Sequence, residues 1–248
     1  MTTVKNIYDY INSIAPFDTQ EEWDNSGFLL GEYRKPVKKA VITLDVTKKV
    51  SELAAGIGAD LIISHHPVIF SALSEIKKGS AVYTLVNNDI ACISAHTNFD
   101  KAPCGINTKL AEMLGLDNVS FLENGFVAIG ELDYPMSIDD FAQYVSERLD
   151  CNGIRYTDTD RLIKKVAVGG GACGEFMFEA CENSDCFVTG DLKYHDMLDA
   201  GELGYAVISA GHFETENKPF LSLYDSLSKM FSDVEFVLSE QENAVKTI

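Results

Sequence analysis

The sequence is short of positive charge and has no paired-cysteine motif. Its 248 residues contain 20 Lys and Arg against 38 Asp and Glu, a formal net charge of −18. Because nucleic acids and anionic membranes attract clustered cations, this composition argues against a general binding surface for either. The six cysteines form no C-x-x-C pair, which excludes a zinc ribbon and a thioredoxin-type motif. We interpret them as reduced, small core residues.

Long apolar stretches are also missing. No run approaches the ~18 residues needed to span a bilayer. The first 17 residues predict an amphipathic helix and lack the charged start, apolar stretch and small-residue cleavage site of a signal peptide. We therefore expect a cytoplasmic protein with no membrane partner. The apolar fraction of 46% is typical of a soluble globular chain, long enough for one large domain or two lobes.

Apolar runs bounded by turn residues alternate with helical patterns along the whole chain. The predicted strands span residues 39–45, 60–64, 89–95, 126–132, 165–169, 185–189, 205–210 and 234–238. The predicted helices span residues 3–14, 47–57, 79–88, 105–115, 137–149, 192–200 and 219–231. Nearly continuous apolar strands that alternate with helices predict an α/β fold whose sheets are covered on both faces.

The order of elements repeats once, coarsely. Residues 39–100 run strand–helix–strand–strand into HTNFD, and residues 164–216 follow the same order into GHFETE. A stretch without helical period separates the two. We therefore predict two similar α/β lobes, residues 1–122 and 123–248, with the last strand and helix, about 205–248, able to pack on the first lobe.

The five histidines lie at, or just beyond, the ends of predicted buried strands. Each has a carboxylate or another histidine close by in sequence. Strand carboxyl ends are where α/β proteins build their sites, and His, Asp and Glu hold borderline and hard divalent metals. The distribution predicts one polar, metal-binding centre assembled from distant segments. The histidines are His65, His66, His96, His195 and His212.

The SHHP motif places two histidines side by side before Pro67. Adjacent side chains of an extended segment point to opposite sides, and Pro67 restricts His66 to extended conformations. His65 and His66 could therefore serve two ions, or one could ligate while the other forms a hydrogen bond. The alternative is a pair of surface histidines in a loop.

The HTNFD motif places His96 four residues before Asp100. A carboxylate at that position can bind one cation or bridge two. The alternative is that Asp100 caps the helix that follows directly.

In GHFETE, Pro219 favours a helix start at that residue, which would leave His212 to Glu216 in the strand-to-helix connection. Glu216 would then lie near the positive end of the helix, where its ionised form is favoured. The alternative is a helix-start carboxylate that binds no metal.

GDLKYHD carries Asp191 and His195, which would share one helix face if the helix began at Asp191. Asp191 could equally be the helix cap, with His195 exposed or moving protons. LDVT contributes Asp45 and WDNSG contributes Asp24. Trp23, the only tryptophan, is expected in the core.

The segment VAVGGGACGEF is rich in glycine but matches neither the dinucleotide fingerprint nor the P-loop. We interpret it as a turn that allows close approach of backbones.

In this combination and order, WDNSG, LDVT, SHHP, HTNFD, GDLKYHD and GHFETE resemble the NIF-three-like dinuclear metal-centre family. Its members are often labelled GTP cyclohydrolase 1 type 2 homologues. The resemblance covers essentially the whole chain and matches the compact form that lacks an inserted domain. It implies a NIF-three-like fold of two α/β lobes with a dinuclear metal cleft between them, and a toroidal homohexamer.

The resemblance also implies the ligands and their roles. Two divalent ions per chain, chosen among Zn, Fe, Mn, Co and Ni, are implied as cofactors. His96, Asp191 and His195 match motif positions near the centre, where the expected role is to support the ligands from behind or to transfer protons. The implied metal ligands are His65, His66, Asp100, His212 and Glu216.

The implied function is hydrolysis by a metal-bound hydroxide, acting on a nucleotide or a related small molecule. Taken literally, the family label makes GTP the substrate, although the sequence itself shows no guanine site. One alternative is a non-catalytic, metal-loaded scaffold or regulatory ring. Another is a metallophosphoesterase, which would need a histidine two residues after Asp45, where this chain has Thr47.

Overall fold

The computed structural model describes residues 1–123 and 125–247 and has a mixed α/β fold with two sheets, as predicted. The chain forms two compact units, each with its own sheet. The domain division predicted after residue 122 stays a prediction. Unit 1 comprises Met1–Cys104 and Phe220–Glu242, and unit 2 comprises Gly105–Pro219 and Asn243–Ile248.

All eight predicted strands are present, with bounds that shift by a few residues. The strands of the described residues are β1 (Gly27–Leu30), β2 (Lys39–Thr43), β3 (Leu61–Ser64), β4 (Ala91–Ser94), β5 (Asp117–Phe121), β6 (Ala128–Met136), β7 (Arg155–Tyr156), β8 (Ile163–Gly169), β9 (Cys186–Thr189), β10 (Ala206–Ser209) and β11 (Glu235–Leu238). Among these, β1, β5 and β7 were not predicted.

All seven predicted helices are present as well. The helices of the described residues are α1 (Val4–Ile14), α2 (Lys48–Gly56), α3 (Ala81–Asn87), α4 (Thr97–Asp100), α5 (Ile106–Met113), α6 (Ile138–Leu149), α7 (Met177–Asn183), α8 (Tyr194–Glu202) and α9 (His212–Met230). The short helices α4 and α7 were not predicted. Side-chain hydroxyls of Thr3, Thr47, Ser80 and Ser137 cap α1, α2, α3 and α6, which fixes where these helices begin.

The sheet of unit 1 has the strand order β1-β4-β3-β2-β11. Strands β4, β3, β2 and β11 are parallel, and β1 joins β4 in antiparallel orientation. Every residue of β3 and β4 is buried, which accounts for their continuous apolar sequences. Because β3 and β4 are parallel neighbours, with Ser64 opposite Ser94, the segments that follow them leave from the same edge of the sheet.

The sheet of unit 2 has the order β5-β6-β8-β9-β10-β7, with β8, β9 and β10 parallel. Side chains alternate between its faces. Val166 and Val168 belong to a cluster that contains residues of α5 and α6, whereas Ala167 belongs to one that contains residues of α7 and α8. Helices therefore cover both faces of this sheet, as predicted.

The six cysteines, all within the described residues, form no disulfide. Cys92, Cys173 and Cys186 are buried. Burial raises the pKa of the Cys92 thiol to about 12, which keeps it protonated and unreactive. No helix formed by the described residues combines the length and the apolar character required to cross a membrane.

Candidate metal centre

Three histidines cluster at the carboxyl edge of the unit 1 sheet. His65 and His66 follow β3, and His96 follows β4. The ring centroid of His65 lies 4.9 Å from that of His66 and 5.0 Å from that of His96. The His66 and His96 rings lie 5.4 Å apart. One ring nitrogen from each of the three falls within 4.8 Å of the others, which is the spacing expected of side chains that can hold a metal ion.

The first two histidines are oriented through their Nδ1 atoms. His65 Nδ1 lies 2.8 Å from the carbonyl oxygen of Ala95, which can only accept, so Nδ1 carries the proton. His66 Nδ1 lies 2.8 Å from Asp45 Oδ1. In a neutral imidazole this arrangement places the lone pair on Nε2, the atom that could donate to a metal ion. A carboxylate or carbonyl behind a ligating histidine is the usual way in which proteins fix its tautomer and orientation.

Asp100 completes the donors of unit 1. It is the last residue of α4, is 7% exposed, and its Oδ1 lies 3.6 Å from His65 Nε2. The alternative of a helix cap does not hold, because α5 begins at Ile106 with Gly105 at its cap position. The carboxylate instead faces the histidine cluster.

His96 is held by a buried carboxylate. Asp24 Oδ1 lies 2.8 Å from His96 Nδ1, and Asp24 Oδ2 accepts hydrogen bonds from the hydroxyls of Thr97 at 2.5 Å and Ser26 at 2.7 Å. Burial on its own would raise the pKa of Asp24, but the hydrogen bonds and charge of His96, with those two hydroxyls, hold it well below its ordinary value. Asp24 is therefore ionised at neutral pH.

In unit 2 the sequence-based boundary of α9 is wrong. The helix begins at His212 and not at residue 219, so Pro219 lies inside it. Gly211, with φ +97°, makes the turn before the helix, and the Thr215 hydroxyl donates back to carbonyl oxygens of that first turn. His212 and Glu216 are consequently i and i+4 neighbours on one helix face, not loop residues. His212 Nε2 lies 3.1 Å from Glu216 Oε2.

His212 repeats the arrangement found in unit 1. Its Nδ1 lies 2.7 Å from Asp191 Oδ2. Burial lowers the pKa of His212, but hydrogen bonds and charge from Asp191 and Glu216 outweigh it and raise the pKa to about 10. The surroundings of this imidazole thus favour positive charge, whether a proton or a metal ion supplies it.

The glycine-rich segment packs against this pair. Gly171 has φ +64°, and a Cβ there would overlap Glu216 Oε1. A Cβ at Gly190 would lie 2.6 Å from the carbonyl oxygen of Gly171 and 2.8 Å from the Cα of His212. The interpretation of VAVGGGACGEF as a turn for close backbone approach therefore agrees with the structure.

Two expectations are corrected. Asp191 and His195 do not share a helix face, because α8 begins at Tyr194, after Asp191. His195 is exposed, and its ring contacts that of Tyr194 at 5.4 Å. Trp23 is not in the core, since it is 57% exposed.

The structure thus shows two donor sets, one in each unit. Both consist of imidazole and carboxylate groups without thiolate, a chemistry that suits Zn, Fe, Mn, Co or Ni. Sequence reasoning gave no role to Asp24 and Asp45, although each lies in a motif next to an apolar run, and it placed Asp191 near the centre without naming its partner. Each of these aspartates orients one histidine.

Comparison with known proteins gives a family. The family model Duf34/NIF3 (NGG1p interacting factor 3) matches residues 2–244. A protein of Clostridium perfringens named GTP cyclohydrolase 1 type 2 homolog is 31% identical over 252 residues, covering 96% of each chain. A protein of Helicobacter pylori named GTP cyclohydrolase 1 type 2 is 33% identical over 220 residues, covering 87% of this chain and 88% of its own.

A solved structure agrees with these matches. The crystal structure of a hypothetical protein of Staphylococcus aureus superposes with a TM-score of 0.92 at 26% identity and covers 99% of each chain. The fold and the sequence relatives lead to the same conclusion as the order of the motifs. This chain belongs to the Duf34/NIF3 family.

Proposed function

We propose that this protein is a metal-dependent hydrolase with two divalent ions per chain, acting on a nucleotide or a related small molecule. The observation that carries the proposal is the shared orientation of His65, His66 and His212. Each engages a protein acceptor through Nδ1, the arrangement by which proteins orient a histidine whose Nε2 binds a metal.

The proposed ligands are those implied by the sequence motifs. Two bound divalent ions lower the pKa of water between them and stabilise both oxygens of a displacement. Asp100 and Glu216 would supply carboxylate oxygens to the ions, and the histidines would supply imidazole nitrogens. The full set is His65, His66, Asp100, His212 and Glu216.

His96 is the proposed proton carrier beside the ligands. Its Nδ1 is tied to the ionised Asp24, so Nε2 can accept or release a proton while the ring keeps its position. His195 stays a prediction for the same role.

The substrate class rests on relatives. The Helicobacter pylori relative is named GTP cyclohydrolase 1 type 2, and a purine nucleotide is accordingly the first substrate to test. A toroidal homohexamer and a cytoplasmic location remain predictions from the sequence and its resemblance.

Turnover tests the proposal. Protein loaded with Zn, Fe, Mn or Co is incubated with GTP, other nucleotides and phosphoesters, and product release is followed by chromatography. We expect metal-dependent hydrolysis of at least one nucleotide, at least about 100-fold slower in a His96→Ala variant. The exposed Glu182→Ala on α7 serves as the matched control and should keep full activity. Metal-loaded protein that turns over none of these compounds would favour the scaffold or regulatory ring.

A further inference from the structure

Two exposed aromatic rings border the histidine cluster of unit 1. Trp23 is 57% exposed and Phe70 is 51% exposed. Their ring centroids lie 5.9 Å apart at an angle of 39°. The ring of His96 lies 6.1 Å from Trp23 and 6.3 Å from Phe70. Large apolar faces that stay in contact with water next to a polar cluster indicate a ligand contact.

The two rings are fixed in place despite their exposure. Asn25 Nδ2 donates to the carbonyl oxygen of Ile69 at 2.6 Å, which ties the segment carrying Trp23 to the segment carrying Phe70. Asp24, the residue after Trp23, is hydrogen-bonded to His96. The position of the aromatic pair relative to His96 is therefore set by short bonds on both sides, as a preorganised binding surface requires.

We propose that Trp23 and Phe70 form a stacking platform that binds the planar heteroaromatic ring of the substrate and positions it beside His96. Aromatic side chains bind nucleobases through stacking that tolerates different bases, because every base has a π face. The platform rests on the proposed function and deepens it, since it assigns the part of the chain that recognises the base. Trp23 and Phe70 are positioning residues here, and the histidines and carboxylates remain responsible for the chemistry.

A second copy of the chain is the other possible occupant of this surface. The location favours a ring ligand, because both rings of the platform lie next to the imidazole of His96, which itself lies against the rings of His65 and His66. A subunit contact is kept as an outcome of the test.

Fluorescence tests the platform directly, because Trp23 is the only tryptophan of the chain. Metal-loaded wild-type protein is titrated with GTP, ATP and CTP, and with tripolyphosphate as a probe that has charge but no ring. We expect saturable quenching of Trp23 emission by the nucleotides and none by tripolyphosphate at the same concentration. Free N-acetyltryptophanamide corrects for absorption by the nucleotides.

Substitution separates the platform from the fold. Phe70→Ala should weaken nucleotide binding about 5- to 100-fold, as stacking losses do, with metal content unchanged. Phe70→Tyr keeps a ring and should restore most of the affinity. Phe178→Ala removes an equally exposed ring, 57% exposed, from α7 and should change nothing. If a nucleotide is hydrolysed, the Phe70→Ala loss should appear in KM and leave kcat nearly unchanged.

Three results would overturn the platform: quenching by tripolyphosphate equal to that by GTP, no response to any nucleotide, or a Phe70→Ala variant with normal affinity and altered oligomer mass. Nucleotide hydrolysis without a Trp23 response would reject the platform and leave the proposed function standing. Ring-dependent quenching without turnover would support the platform and reject the proposed hydrolase function.

Discussion

At the scale of single residues, the candidate centre depends on carboxylates that orient histidines and are not among the proposed ligands. Asp24, Asp45 and Asp191 each accept a hydrogen bond from the Nδ1 side of one histidine. The motifs predicted which side chains supply donors, because ligand types and spacing are written in the sequence. They did not predict the contacts of Asp24 and Asp45 with histidines, since these contacts join residues 72 and 21 positions apart.

Removing the charge of an orienting carboxylate should weaken metal binding. Asp45→Asn and Asp191→Asn keep an oxygen acceptor but lose the negative charge that raises the basicity of His66 and His212. We expect each to lower metal affinity about 10- to 100-fold, measured by competition with a chromophoric chelator. Asp133→Asn, at an exposed position of β6, should match wild type. Unchanged affinity in both variants would show that these aspartates do not support the ligands.

Asp24 should contribute stability that depends on pH. The pKa of Asp24 is held below its ordinary value of 3.8 in the folded chain, so its contribution is complete above about pH 4 and is lost as the pH falls through the folded-state pKa. Asp24→Asn should cost about 2 to 3 kcal/mol at pH 7, because hydrogen bonds to a charged group are lost.

Denaturant unfolding of metal-free protein between pH 7 and pH 2 measures this contribution. The difference in the free energy of unfolding between wild type and Asp24→Asn should become smaller at the acid end of the range. Asp133→Asn should unfold with the same free energy as wild type throughout. A difference that stays constant across the range would contradict the role assigned to the Asp24 charge.

At the scale of elements, apolar runs were sufficient to predict eight strands. Strands such as β3, β4 and β9 are parallel and buried at every residue, and such strands are apolar along nearly their whole length. β5 was missed since its residues are exposed or half-buried and its sequence, DNVSF, is largely polar. The start of α9 was misplaced because Pro219 is typical of a first helical turn, whereas here the helix is set by Gly211 and Thr215.

Replacing either of two glycines with alanine should change stability, in opposite directions, because the backbone is crowded at one glycine near His212 and open at the other. Gly190→Ala would place a Cβ 2.6 Å from the Gly171 carbonyl oxygen and 2.8 Å from the His212 Cα, and neither can move alone. We expect a loss of about 1 to 3 kcal/mol. Gly201→Ala lies in α8 with nothing within 4 Å and should gain up to about 1 kcal/mol. Thermal unfolding of both variants tests this, and a Gly190→Ala variant as stable as wild type would refute the close packing.

At the scale of the whole molecule, each of the two compact units is formed by two separate stretches of the chain. Residues 220–242 return to unit 1, where β11 pairs with β2. The sequence analysis allowed the last strand and helix to pack on the first lobe. Periodicity does not report which strands pair, and here β11 pairs with β2, almost 200 residues earlier in the chain. The homohexamer predicted by resemblance is tested by light scattering, which should give six times the 27.3 kDa chain mass. A monomer mass at all concentrations would contradict it.

The number of metal ions bound per chain decides whether the proposed ligands hold two divalent ions. Protein purified without added metal, and after loading with Zn or Mn, is measured by elemental analysis as wild type, Asp100→Ala, Glu216→Ala and the control Glu182→Ala. We expect two ions per chain in the loaded wild-type protein and in the control, and fewer than two in Asp100→Ala and in Glu216→Ala. Two ions per chain in both Asp100→Ala and Glu216→Ala, or none in loaded wild type, would contradict this expectation.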